Sequence, residues 1–222
     1  MLFNSIDFAI FLPIVFVLYW FVTNKSLKLQ NLLIVASSYL FYGWWDWRFL
    51  FLILGSTILD YVLGLYISRT DDRSKQKRFL ILSLVFNLGV LGLFKYFNFF
   101  KDNFEILLNS IGFKADFITL DILLPVGISF YTFQTLSYTI DVYRGKLKAT
   151  DNFLAFASFV SFFPQLVAGP IERASNLLPQ FFKRRKFSYK LALDGVKQMI
   201  WGFFMKVVIA DNCAVYANQI FN

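Results

Sequence analysis

Residues 49–67 read FLFLILGSTILDYVLGLYI, nineteen positions with a single charge, Asp60. Wound as an α-helix the stretch is about 29 Å long, close to the ~30 Å hydrocarbon core of a bilayer. It is bounded by the cluster Trp44, Trp45, Asp46, Trp47, Arg48 on one side and by the charged run Arg69–Arg78 on the other. Such a segment reads as a membrane span, and its neighbours repeat the pattern. Phe8–Val22, Leu29–Trp45 and Phe79–Phe94 are also apolar and nearly span-length, and Lys25 and Lys28 separate the first two. The run Phe8–Val22 has no preceding basic region and no small-residue cleavage site, so it reads as a retained span and not as a signal peptide.

Composition agrees. Hydrophobic residues make up 58% of the 222 and aromatics 21%, with 30 Phe, where a soluble domain carries about 45–50% apolar residues. The net charge of +8 does not indicate a nucleic-acid partner, because the aromatics lie inside apolar runs and are not interleaved with Lys and Arg on one surface. It reads as cytoplasmic loops facing an anionic leaflet. There is no histidine, hence no His-ligated metal and no imidazole base, and the lone Cys213 forms no intrachain disulfide. Beside an apolar helix end, that cysteine reads as inert packing and not as a nucleophile.

Asp60 lies inside its span, where an unpaired charge costs roughly 2.5–3.5 kcal/mol at the bilayer centre. It must face protein or water, and the expected role is hydrogen bonding to a neighbouring helix. From Lys95 to Asp121 apolar and polar residues interleave, which predicts an interfacial helix. Ile122–Ile140 returns as a span, and Phe153–Val167 reads as a re-entrant segment ending in broken backbone at Pro164. The last apolar stretch, Leu191–Ala210, is interrupted by Asp194, Lys197 and Lys206. The positive-inside rule places Lys25, Lys28, Arg69–Arg78, Arg144, Lys146, Lys148 and Lys183–Lys186 on the cytoplasmic side, provided that Phe153–Val167 turns back without crossing. The expected fold is all-α: a polytopic transmembrane helical bundle with a re-entrant segment and an interfacial helix, 1–222 forming a single membrane domain.

Two segments exceed what span formation needs. Leu124-Pro125-Val126-Gly127-Ile128-Ser129-Phe130-Tyr131-Thr132-Phe133-Gln134, running on to Asp141-Val142-Tyr143-Arg144-Gly145, places Gln134 and several hydroxyls where lipid-facing residues would be apolar. Phe162-Phe163-Pro164-Gln165-Leu166-Val167-Ala168-Gly169-Pro170-Ile171-Glu172-Arg173 carries two prolines and a glycine within seven residues, so backbone groups are freed that side chains must satisfy. Both segments resemble signatures of the bacterial membrane-bound O-acyltransferase family, in its alginate O-acetyltransferase-like branch. The opening Met1–Ser5 with Phe8, Phe11, Leu12 and Pro13 is similar to that branch too, as are Ser38–Trp44 and Lys206–Asp211.

The resemblance implies a multi-pass enzyme of the bacterial cytoplasmic membrane, this chain being its N-terminal part. Such an enzyme takes an acetyl group from acetyl-CoA or a similar thioester, with no bound cofactor, and delivers it to an extracytoplasmic polysaccharide with the help of exported partner proteins. The family's histidine base has no counterpart here, so the fragment is expected to be inactive and no catalytic residue carries over. Pro164, Gln165, Gly169, Pro170, Glu172 and Arg173 would help to build the floor of the family's tunnel, with Gln134, Asp141 and Arg144 as further motif candidates. The plain structural alternative is a helix break with a surface ion pair worth about 0–1 kcal/mol. Two other classes fit the same residues: a transporter-like subunit, with the polar helix and the Pro/Gly break as substrate path, and a non-catalytic membrane scaffold.

Overall fold

The computed structural model describes residues 1, 3–111, 124–166, 169–170 and 172–221, and every regular element among them is helical. Helix α1, Ile6–Val17, starts at Ser5, whose hydroxyl accepts from the Phe8 N–H at 3.2 Å. It contains Pro13 and runs on through a π-helical turn, Leu18–Val22, and a 3₁₀ turn, Thr23–Lys25. Helix α2 is Leu27–Gly43. The Asp46 carboxylate accepts from the Arg48 N–H at 2.9 Å and caps the 3₁₀ turn Trp47–Phe49 that leads into α3, Leu50–Arg69. Asp72 in the same way caps α4, Arg73–Ser110.

Among the described residues four stretches are long and apolar enough to cross a membrane: Ile6–Lys25, Trp47–Arg69, Arg73–Ser110 and Tyr189–Phe221. Where a span was expected at Leu29–Trp45 the chain forms the 17-residue α2, about 26 Å long and not among those four. The fourth span and the segment expected at the interface are one helix. No proline or glycine interrupts the chain between Leu93 and Ser110, so α4 continues for 38 residues, about 57 Å. The remainder of the expected interfacial segment, up to Asp121, lies outside the described residues, as does the start of the span expected at Ile122–Ile140. The described part of that span forms the shorter α5, Ile128–Tyr143, with nine residues buried.

The segment expected to be re-entrant comprises two short helices, α6 (Phe153–Val160) and α7 (Phe163–Leu166). Together they cover about 21 Å, too little to cross a ~30 Å core. After Pro170 the chain comes back through α8 (Ala174–Leu177) and the 3₁₀ turn Leu178–Phe182, which packs on α6, and Phe181 meets Phe162 ring to ring at 5.9 Å. The result is a hairpin. The last helical stretch is longer than the expected Leu191–Ala210. It comprises α9 (Tyr189–Phe203), a π-helical segment Phe204–Ala210 where Lys206 pairs with Asp211, and α10 (Asp211–Phe221).

Contacts group the chain into two compact units, Met1–Leu33 with Arg184–Asn222, and Ile34–Lys183. In the second unit α3, α4 and α5 pack together and α6 lies against α3 and α5. Gly64 makes room for this: a β-carbon there would lie 2.6 Å from the Tyr138 ring. Tyr138 in turn packs on Phe156, the ring centres 4.6 Å apart and the planes tilted by 50°, and its hydroxyl accepts the Thr150 N–H at 3.1 Å. Buried polar residues share the interior with apolar ones such as Phe41, Ile53, Phe156 and Phe159, and large apolar residues also stand exposed. Ser38, Thr57, Asp60, Ser83, Thr135 and Thr139 are fully buried, while Phe51 and Val85 are 65% exposed. Helices that face lipid need no apolar core to associate. They are joined by close packing and by hydrogen bonds worth about 0.6–2 kcal/mol each.

Candidate functional site

The break in the hairpin dictates which side chains gather around it. In an unbroken helix the Phe163 N–H would donate to the Phe159 carbonyl. Here the helix stops at Ser161–Phe162 and that bond is lost. The two orphaned groups find separate partners: Gln134 of α5 donates its amide to the Phe159 carbonyl at 2.6 Å, and the Phe163 N–H donates to the Ser38 hydroxyl of α2 at 3.1 Å. Gln134 and Ser38 are 1% and 0% exposed, as befits polar groups that serve buried backbone.

The same junction draws in the start of α5. Gly127 precedes the helix at φ +81°, a left-handed conformation natural to glycine, and a β-carbon there would stand 2.3 Å from the Leu166 carbonyl oxygen. Tyr42 of α2 donates its hydroxyl to the Val126 carbonyl at 2.7 Å. Beyond the break, Gln165 is buried and its amide donates to the Pro170 carbonyl at 2.9 Å, closing the turn, and Gly169 packs against the Gln165 backbone, a β-carbon lying 3.1 Å from its Cα. Of the side chains that satisfy backbone groups at this break, only Gln165 belongs to the Phe162–Arg173 segment, and Gln134 and Ser38 reach in from α5 and α2. The buried Tyr131 hydroxyl, one turn after Gly127, has no hydrogen-bond partner among the described residues.

The remaining candidates are placed differently. Pro164, Pro170 and Arg173 are exposed and Glu172 is half-buried. Among the described residues neither Glu172 nor Arg173 has a side-chain hydrogen bond or ion pair, and the surface ion pair of the plain structural alternative is not formed there. Arg173 contributes its backbone, whose carbonyl accepts from the Asn176 and Leu177 N–H groups at the start of α8. Val167, Ala168 and Ile171 lie outside the described residues. Asp141 and Arg144 sit at the far end of α5, roughly 20–25 Å along the helix from Gly127. There the Lys146 N–H donates to the Asp141 carbonyl at 2.9 Å and the Gly145 N–H to Val142 at 3.0 Å, with Gly145 at φ +71°. That is a helix stop of the Schellman type, which accounts for Asp141–Gly145 without a ligand.

Asp60 heads a second polar cluster. Its carboxylate accepts from Ser83 Oγ at 2.6 Å, Asn87 Nδ2 at 2.8 Å and Thr139 Oγ1 at 3.4 Å, and Ser56 donates to Asn87 at 2.9 Å. One carboxylate thus joins α3, α4 and α5, the structural role expected from its burial. Among the described residues no group of His, Cys, Asp and Glu is arranged to hold a metal ion.

Over its whole length the chain is 43% identical to the protein named "Probable alginate O-acetylase" from Pseudomonas aeruginosa, covering 42% of it. The chain is homologous to the O-acetyltransferases. It is 42% identical to the protein of the same name from Azotobacter vinelandii, covering 44% of that relative, and 34% identical to the "Peptidoglycan O-acetyltransferase" of Helicobacter pylori, covering 46%. This O-acetyltransferase homologue therefore spans less than half the length of the curated relatives it matches. No protein-family model and no solved structure matches it.

Proposed function

We propose that the chain forms part of a membrane-bound O-acyltransferase that moves an acetyl group from a cytoplasmic thioester, acetyl-CoA or similar, to a hydroxyl of an extracytoplasmic polysaccharide. The observation that carries this reading is the 43% identity along the whole chain to an alginate O-acetylase. The junction adds to it, because three of the segments that resemble the family, around Ser38–Tyr42, Val126–Gln134 and Phe163–Pro170, meet at one broken helix. No imidazole base is available among these 222 residues, so their contribution is the scaffold. The hairpin enters from the cytoplasmic side of the inner membrane and turns without crossing, and Pro164, Gln165, Gly169, Pro170, Glu172 and Arg173 line the path along which donor and acceptor meet.

Arg173 offers the test. Its charge is committed to no other side chain among the described residues, so its loss leaves the fold intact and reads on function. In a full-length relative, replacing the arginine aligned with Arg173 by alanine should abolish polysaccharide O-acetylation at normal membrane expression. The change aligned with Lys75→Ala, at the exposed start of α4, should leave acetylation unchanged. Full acetylation by the Arg173 variant would reduce the motif to a helix break and overturn the assignment.

A further inference from the structure

We propose that the unit formed by Met1–Leu33 and Arg184–Asn222 binds the headgroup of an anionic phospholipid where the extended segment 184–188 crosses the junction of α1 and α2. This site is independent of acyl transfer. The segment is fastened in place by its own polar groups. Arg184 Nε donates to the Asn24 carbonyl at 2.8 Å. Gln30 and the Arg185 backbone exchange two hydrogen bonds, at 3.1 and 3.4 Å, and the Arg185 guanidinium donates to Asn31 at 2.5 Å while lying 5.5 Å from the centre of the Tyr19 ring. Phe187 then rests against Phe16, Trp20 and Phe21, with ring centres 5.4–6.0 Å apart.

Arg185 is thereby consumed in holding the structure, but Lys25, Lys28 and Lys186 are left exposed beside it. No Asp or Glu occurs in residues 8–33 or 184–193 to neutralise them. Lys28 stands in the first turn of α2, where the helix dipole already presents positive potential and no acidic residue offsets it. Three exposed lysines and a helix N-terminus beside the fastened segment, with no acidic residue in these stretches, favour an anion from outside the unit.

The surroundings identify the anion as lipid. Next to Lys25 in sequence lies the π-helical turn Leu18–Val22, where Phe21 is 57% and Val22 58% exposed and where the rings of Tyr19 and Trp20 stand. A phosphate diester seated among the lysines would lay its acyl chains along those residues, with the aromatics at headgroup level, as they stand at membrane interfaces. A soluble phosphate would have no use for that apolar wall. At about 1 kcal/mol per basic residue near an anionic surface, three lysines correspond to a preference on the order of a hundredfold.

The experiment uses the purified chain in detergent, titrated with phosphatidylglycerol or phosphatidylcholine, with bound lipid counted by native mass spectrometry. Phosphatidylglycerol should be retained preferentially, and Lys25→Gln/Lys28→Gln/Lys186→Gln should erase the preference. The triple change Lys75→Gln/Lys77→Gln/Lys148→Gln removes the same charge elsewhere and should preserve it. Excess inorganic phosphate should not displace the lipid. Equal losses in the two triple variants, equal retention of both lipids by the parent chain, or displacement by inorganic phosphate would each overturn the proposal.

Discussion

Gln134 stands in for a missing main-chain donor. Its amide occupies the position at the Phe159 carbonyl that the Phe163 N–H would fill in an unbroken helix, deep in a unit that excludes water. Gln134→Leu keeps the bulk and removes the donor, leaving a buried carbonyl unsatisfied. It should cost about 1–3 kcal/mol, read as a lowered melting temperature of the purified chain in detergent. A melting temperature equal to the parent's would show that the carbonyl finds another partner. At this scale the sequence was informative about which residues are out of place in a span and silent about what they touch. Gln134, Gln165 and Asp60 were visible as polar groups that needed protein neighbours. Ser38 stood out only as the start of a family-like segment, and Ser83 and Asn87 not at all. Their partners sit 23 to 125 positions away, and the depth at which two helices meet is not written in either one. Ser83 and Asn87, four apart on one apolar helix, were the signal available.

Among the elements, the hairpin Phe153–Phe182 decides the topology. Its inbound arm is broken and about 21 Å long, and its outbound arm packs back on α6. If both arms open to one side, the loop before α4 and the segment before α9 share a compartment. With Cys213 replaced by serine, Ser74→Cys and Ser188→Cys should show the same accessibility to a membrane-impermeant maleimide in intact cells. Opposite labelling would mean that the chain crosses between Phe153 and Phe182. Pro164 and Pro170 made a break legible in this region. The stop at Ser161–Phe162 was not, because neither residue is a helix breaker and the interruption is stabilised from outside, by Gln134 and Ser38. In α4 the error ran the other way. Polar residues after Lys95 suggested a new element, yet polarity alone does not end a helix, and nothing from Leu93 to Ser110 removes a backbone donor.

For the molecule as a whole, the 58% hydrophobic composition and the span-length apolar runs made an all-α membrane protein legible, and large apolar residues such as Phe51 and Val85 do stand exposed. The lengths of its helices were less legible, and they carry a consequence for the bilayer around it. Helix α2, shorter than the four stretches long enough to cross, measures about 26 Å and α4 about 57 Å, so if both lie across the bilayer no single hydrocarbon thickness matches them. The excess of α4 is absorbed by tilt or by projection into water, whereas a membrane too thick for α2 drags Lys28 and the Trp44–Trp45 end toward hydrocarbon, at a fraction of a kcal/mol per ångström. The two directions of hydrophobic mismatch are therefore unequal. Reconstituted in phosphatidylcholines of increasing acyl length, the protein should hold its melting temperature through the thinner bilayers and lose it progressively in the thicker ones. A symmetric optimum would mean that the short helix does not set the limit.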